Sequence, residues 1–473
     1  MSTFSGLNTA FSGIQAHKRT IDMIGHNVAN VETEGFSRRR VDLSPSGSIQ
    51  PPGRYSTFFS NSNLGVDVTG VRRIREGFLE AKARAELGNQ SAQTRNANVL
   101  GRVENVFPEP SDLGVQAQLA KFWNSWADAA NDPASLPART AVLEQAKQLS
   151  TTLRKASGDL TTIRTDLTTE LNGVLAQVNA DAQRVAELNT QIRLATVGGS
   201  DPSDLADQRD LLIDKITKSV GGTARAGRDG MVDVILGGSA LVAGDHVEQI
   251  AAVQTGTLSP PLDTLPLQQV QIRWARDGYP VLGYGGDVGG IVAGANDTVP
   301  RYMADLNTIA STMVSTVNAL HTTGKGLNQT ADVNLNFFDP SGTTAATIAV
   351  SSDVAGQPSR LALANATAGA LDITVANALS ALGTSPTGAD TVHRNMMGRL
   401  GIEAGTATSR ATLQESITRA ADADRKSVSG VNIDEEMTQL IQSQRAYEAS
   451  ARLMTTIDEM LDVIINRTGI VGR

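Results

Sequence analysis

The 473-residue chain contains no cysteine. That excludes a disulfide scaffold, a thiolate metal site and a cysteine nucleophile, and it suits a protein exported to an oxidising exterior. Aromatic residues make up only 4% of the sequence against 40% apolar residues overall. Burial must therefore rest on Leu, Ile, Val and Ala, which favours long helices packed along their length. Nowhere does the chain reach the roughly 18–20 continuous apolar residues of a membrane span, so no membrane insertion is expected. At the start, His17, Lys18 and Arg19 interrupt the apolar residues, and the pattern of a cleavable signal peptide is missing. A formal charge of -8 offers no field for nucleic acid. The one compact basic run, Arg38-Arg39-Arg40, reads as a solvated turn.

Signatures of catalysis are equally scarce. The five histidines, His17, His26, His246, His321 and His393, are far apart and lack the spacing that sets two ligands on one helix face. The glycines from Gly283 to Gly290 follow no strand-to-helix dinucleotide pattern and read as turns. Asp207, Asp210 and Asp214 lie near one helix face with Arg209 and Lys215 interleaved, which reads as an exposed ionic surface. The expectation is no catalytic residue, no cofactor, no metal and no enzyme.

What the chain does have is helical periodicity. Phe4, Leu7, Phe11, Ile14, Ile21, Ile24, Val28 and Val31 recur at spacings of three and four, or seven where one beat is missing, and make one stripe. Helical pattern resumes near Glu76 and continues to Ala195, broken by prolines near 108–110, 133 and 137. Its last stretch carries Leu149, Leu153, Leu160, Ile163, Leu167, Leu171, Leu175 and Val178 at near-heptad spacing, the mark of a long helix packed on another. Asp201-Pro202 opens a further helix. Between Gly221 and Gly294 glycine is dense and alternating segments such as 231–236 and 270–274 signal a small antiparallel region. One helix is expected over 300–320, and two more close the chain, 390–427 and 434–466. Met437, Leu440, Tyr447, Met454, Leu461 and Ile465 repeat the stripe of the first helix. Burying the eight side chains of the first stripe does not offset the backbone entropy of ordering the whole helix. Both ends therefore read as assembly seams that need several neighbours and order on association.

Text at the two ends carries a resemblance. Ser5-Gly6-Leu7-Asn8-Thr9-Ala10, Gly25-His26-Asn27-Val28-Ala29-Asn30 and Thr33-Glu34-Gly35-Phe36-Ser37-Arg38 are similar to the N-terminal signature of flagellar rod, hook and hook-associated proteins. The stretch 429–437, with Asp434 and Glu435, and its continuation through Gln444-Arg445-Ala446-Tyr447, resemble that family's terminal helix. Asn27, Asn30, Gly35, Asp434 and Glu435 are the motif positions. The internal text Asp204-Leu205-Ala206-Asp207-Gln208-Arg209-Asp210, together with 306–321 and Phe337-Phe338, narrows the resemblance to the hook-associated protein 1 family. His26 and Glu34 depart from its usual Asn and Pro.

The resemblance implies a structural part of the flagellum at the junction of hook and filament. It implies a mainly α fold with a β-rich inserted domain: terminal helices paired as a coiled coil in an inner tube (1–42 and 431–473), a long-helix bundle (43–220 and 372–430) and a β-rich outer domain (221–371). Implied partners are further copies of the chain in a ring or helical tube, hook protein, a second junction hook-associated protein, and an export chaperone on the C-terminal region. Export would use the flagellar type III route with an uncleaved signal, placing the protein outside the cell. Two alternatives remain: another axial protein of the hook or distal rod, or a secreted adhesin or hydrolase whose site involves Trp274, Tyr279 and Tyr284.

Overall fold

A computed structural model describes residues 3–46, 65–328 and 332–467, with side chains from residue 6 to residue 465 of these. The chain opens with helix α1 (Thr3–Ala29) and turns at Gly35, whose φ of +80° is the left-handed conformation that glycine adopts without strain. It then enters an antiparallel hairpin, β1 (Arg39–Ser46) with β2 (Gly65–Arg73). The hairpin lies on α1, where the Val66 amide donates to Ser12 Oγ at 3.1 Å.

Helices α2 (Gly77–Val106), α3 (Val115–Asn131), α4 (Leu136–Val197) and α5 (Ser203–Val220) follow. The 62-residue α4 starts where Ser135 Oγ accepts from the Ala138 amide and Pro137 occupies the first turn, two features that fix a helix start. All of its heptad residues from Leu149 to Val178 are buried except Ile163, which packs at the rim.

Six short strands come next. β3 (Thr223–Ala226), β4 (Val232–Leu236), β5 (Ser239–Ala243) and β6 (His246–Val247) form a four-stranded antiparallel meander, and β7 (Ile250–Thr257) pairs with β8 (Gln268–Trp274). β4 turns into β5 through Gly237-Gly238, both with positive φ; a Cβ on Gly237 would fall 1.6 Å from the Leu282 carbonyl oxygen. Helices α6 (Gly286–Ala293) and α7 (Val299–His321) are joined by a π-turn at Gly294–Thr298. The helical run thus begins at Gly286 rather than near 300, and the glycines read as turns lie partly inside it. The reason is proximity: a Cβ on Gly290 would sit 2.7 Å from Arg95 Cβ, and one on Gly294 would sit 3.1 Å from Val99 Cγ1. Missing side chains let α2 press against this helix.

Two-residue strands β9 (Gly324–Lys325) and β10 (Ala364–Asn365), then α8 (Thr374–Ala381), α9 (Ala389–Ser429) and α10 (Ile433–Asp462), complete the fold. One hydrophobic core runs from Val99 to Ala407, joining the long helices to the strands through Leu236, Ile250 and Ile272. Its aromatic centre stacks Phe122, Trp126, Phe337 and Phe338 beside His321. The fold is mainly helical, with paired terminal helices and a small antiparallel region in the middle.

Candidate functional site: the joint of the two chain ends

Helices α1 and α10 pack antiparallel, because Gly6 meets Ile457, Gly13 meets Ser450 and Asn27 meets Glu436. The contact is made by small groups. A Cβ on Gly6 would stand 3.1 Å from Ile457 Cδ1 and one on Gly13 would stand 3.0 Å from Ser450 Oγ. Ala10, Ala16 and Ile24 are buried on α1; on α10 the buried residues are Glu436, Ser443 and Ile457, at multiples of seven residues.

The apolar stripe read from the sequence is only partly covered. Ile24 is buried, while Leu7, Ile14, Ile21, Val28, Leu440, Met454 and Leu461 are half-buried. Phe11 is 52% exposed, Met437 44%, Tyr447 37% and Ile465 71%. Phe4 lies outside the described side chains. Ile441, Leu453, Met460, Val463 and Ile464 are exposed as well. The closest approaches of the two helices are at Gly6 and Gly13, and Phe11, Met437, Tyr447 and Ile465 stay exposed beside them, a surface of the kind that marks a partner contact.

Below the seam lies a polar joint that binds the chain ends to the bundle. Asn27 Nδ2 donates to the Arg39 carbonyl (2.9 Å) and to Glu436 Oε2 (3.0 Å), while its Oδ1 accepts from the Arg39 amide (3.0 Å). Arg38 pairs with Glu436 at 2.6 Å and with Glu435 at 2.7 Å. Arg39 pairs with Asp204 (2.5 Å) and Asp207 (2.9 Å), and Arg73 with Asp207 (2.9 Å) and Asp210 (2.8 Å); Arg75 also bonds Asp210. Further along α5, Asp214 holds Arg84 (2.6 Å) and Arg425 (3.0 Å).

Neither charged motif is the solvated surface it resembles in sequence. Arg39 is 5% exposed, and Asp207 and Asp210 are 8% and 5% exposed. Burial works against ionisation of Asp210, but Arg75, Arg73 and Arg209 outweigh it and hold its carboxyl below the ordinary value. Burial likewise opposes the charge on Arg39 and Arg73, but Asp204 and Asp207 raise the first, and Asp210 and Asp207 the second, above the usual guanidinium value.

The motif positions divide between these roles. Asn27 is buried at the centre of the joint. Asn30 closes α1 by donating to the His26 carbonyl and accepting from Thr33 Oγ1. Gly35 turns the chain against Leu211. Asp434 and Glu435 offer their amides to the Asn432 side chain, which caps α10, and Glu435 adds the exposed half of the Arg38 pair. Sequence reasoning read Arg38, Arg39, Asp207 and Asp210 as solvated and gave Arg73, Arg75 and Glu436 no role. The available signal was balance: basic residues around 38–39 and 73–75 match acids at 204–214 and 435–436.

Trp274 is buried in the core, Tyr284 half-buried and Tyr279 70% exposed, so they form no common aromatic patch. Among the described residues no three His, Asp or Glu side chains are grouped to hold a metal ion, and no helix is long and apolar enough to cross a membrane. The arrangement holds the two terminal helices to each other and to the bundle.

Comparison with known proteins agrees in kind. A family model described as flagellar hook-associated protein FlgK helical domain matches residues 100–338, and one for the flagellar basal body rod FlgEFG protein C-terminal region matches residues 427–467. Flagellar hook-associated protein 1 of Bacillus subtilis (strain 168) is 30% identical over 510 residues, covering 100% of both chains. Its counterpart in Salmonella typhimurium is 24% identical over 335 residues, 70% of this chain and 59% of that protein. The solved flagellar hook junction protein FlgK from Burkholderia pseudomallei aligns at 22% identity with a TM-score of 0.48, over 55% of this chain and 46% of that one.

Proposed function

Because the chain belongs to the flagellar hook-associated protein 1 family, a structural component of the bacterial flagellum, we propose that it joins hook to filament as an adaptor whose terminal helices finish their cores against neighbouring copies. The observation that carries this reading is the α1–α10 pair, closed by Gly6, Gly13 and Ser450 while Phe11, Met437, Ile441 and Ile465 face outward. An apolar face of that extent gains stability only when something covers it.

In this reading residues 1–42 and 431–473 form the inner tube, 43–220 and 372–430 the next shell, and 221–371 the outer surface. Copies associate in a ring or helical tube, with hook protein on one side and a second junction hook-associated protein on the other. Export follows the flagellar type III route without a cleaved signal, and an export chaperone holds the C-terminal stripe until assembly. Ordering of the ends is coupled to association.

Imaging of cells lacking the protein tests the role: hooks without filaments, with flagellin released to the medium, are expected, and intact filaments would refute it. Complementation with Leu440→Asp or Met454→Asp is expected to leave the bundle folded and abolish assembly. Normal motility from both variants would overturn the proposed seam.

A further inference from the structure

Away from the joint, a cavity of about 510 Å³ opens between the first turns of α9, the end of α2 and the start of α3. Its lining includes Glu104, Glu109, Gln116, His393, Met397 and Leu400. His393 is 1% exposed, yet its Nε2 has no hydrogen-bond partner. Gln116 gives its Nε2 to Asp390 Oδ1 (3.2 Å), which is also held by the Trp123 indole N–H on its other oxygen (2.7 Å), so Gln116 presents its carbonyl oxygen to His393 Nδ1 at 3.4 Å. With Nδ1 donating to that oxygen, Nε2 is left as a lone-pair acceptor. Burial drives His393 toward this neutral form, with Glu109 opposing.

Opposite Nε2, at 3.8 Å, stands Glu109 Oε1. That carboxylate is locked in place, since it accepts from the Gln116 amide at 2.9 Å and lies where a Cβ on Gly114 would meet it at 2.3 Å. Two acceptors thus face each other with no donor between them. A second carboxylate, Glu104, lies on the exposed side with no ion-pair partner among the described residues, and Arg394 on the rim is turned onto the Thr391 hydroxyl at 3.0 Å. Met397, Leu400 and Pro110 supply an apolar wall, and Gly398 and Gly401 add no side chain to it.

We propose that this cavity binds an alkylammonium or guanidinium group on an aliphatic stem, the cation bridging His393 Nε2 and Glu109 while the stem lies on Met397 and Leu400. An unpartnered ring nitrogen beside a carboxylate is unfavourable when buried, and an N–H cation satisfies the nitrogen and the carboxylate's charge together. The carrier is either a free amine or a Lys or Arg side chain of another protein; the chemistry is the same.

The test is the imidazole 15N resonances of His393 in the full-length protein at neutral pH, followed during titration with n-butylamine, with Nα-acetyl-lysine methylamide and with n-butanol as the uncharged control. A saturable shift with either amine and none with n-butanol is expected, and Glu109→Gln should weaken it about tenfold, the loss of one charge-assisted hydrogen bond. Glu104→Gln, at an exposed position that leaves the fold alone, should weaken it by a smaller factor. Saturation by n-butylamine alone identifies a small-molecule ligand, and saturation by the lysine derivative alone identifies a protein side chain; both support the site. No saturable shift with either amine, an equal response to n-butanol, or a His393 ring already protonated on both nitrogens at neutral pH would overturn the proposal.

Discussion

Replacing Asp207 by Ala separates the joint from the bundle it is built on. Asp207 is 8% exposed and accepts from Arg39 and Arg73, both at 2.9 Å, and from the Ser37 amide at 3.5 Å. Removing one member of a buried pair costs roughly 3–5 kcal/mol because the partner's charge stays behind. Here the lower end applies, about 3 kcal/mol, because each guanidinium keeps a second carboxylate: Asp204 for Arg39 and Asp210 for Arg73. The loss is local, since the core from Val99 to Ala407 contains none of these residues. Hydrogen exchange on the β1–β2 hairpin, whose register pairs Val41 with Val71, reads it directly. About 3 kcal/mol corresponds to roughly a hundredfold faster opening of those amides, with α4 and α7 unchanged. Asp204 provides the control: it also bonds Arg39, but its side chain is 72% exposed, and Asp204→Ala should cost at most about 1 kcal/mol. Equal effects of the two substitutions, or an Asp207→Ala hairpin as protected as wild type, would refute the claim that burial makes this pair strong.

Other outcomes follow from the same geometry. Glu436→Gln keeps an acceptor for Asn27 but removes the charge that holds Arg38, so in the assembled protein, where the ends are ordered, exchange in α1 and α10 should rise by about 1–2 kcal/mol of lost protection while the hairpin is spared. Gly13→Val drives a side chain into Ser450 and should weaken the terminal pair by about 1–3 kcal/mol; adding Ser450→Gly should restore most of it, and a double variant no better than the single would count against close contact. The Asp210 carboxyl is held below its ordinary value, so its contribution is complete above the unfolded value of about 3.9 and disappears as pH falls through the lower, folded one. Hairpin protection is therefore expected to be level from pH 7 to about 4 and to fall only below that; loss near pH 6 would show another group in control.

The helices were legible in the sequence because their causes are local. Leu149 to Leu175 are spaced to face one partner, Ser135 and Pro137 start α4, and Asn432 starts α10; each signal lies within a few residues of the structure it makes. The β1–β2 hairpin and the early start of α6 were less legible. Gly286, Gly289 and Gly290 argue against a helix by propensity; the approach of Arg95 from α2 explains the glycine at 290, and the backbone of Lys218 and Ser219 together with a φ of +58° explains the one at 286. The joint was the least legible part. Arg38 and Glu436 are separated by 398 residues, and nothing beside either one distinguishes a charge that will be buried from one that will be solvated. Pattern reading also searches for large apolar side chains, so it found the stripe of Leu7, Phe11 and Met437 and missed the contact made by Gly6, Ala10, Gly13 and Ser450. The two readings are complementary rather than opposed. A chain end that closed on itself through its largest side chains would have nothing left to offer a neighbour. Small residues at the closest approaches and charges that fix the angle on the bundle leave Phe11, Met437 and Ile465 exposed, the surface that the proposed association would cover. The same reasoning makes the register of the seam depend on Asn27 and Glu436, polar residues at its end, where a mismatched pairing would leave a charge buried without a partner.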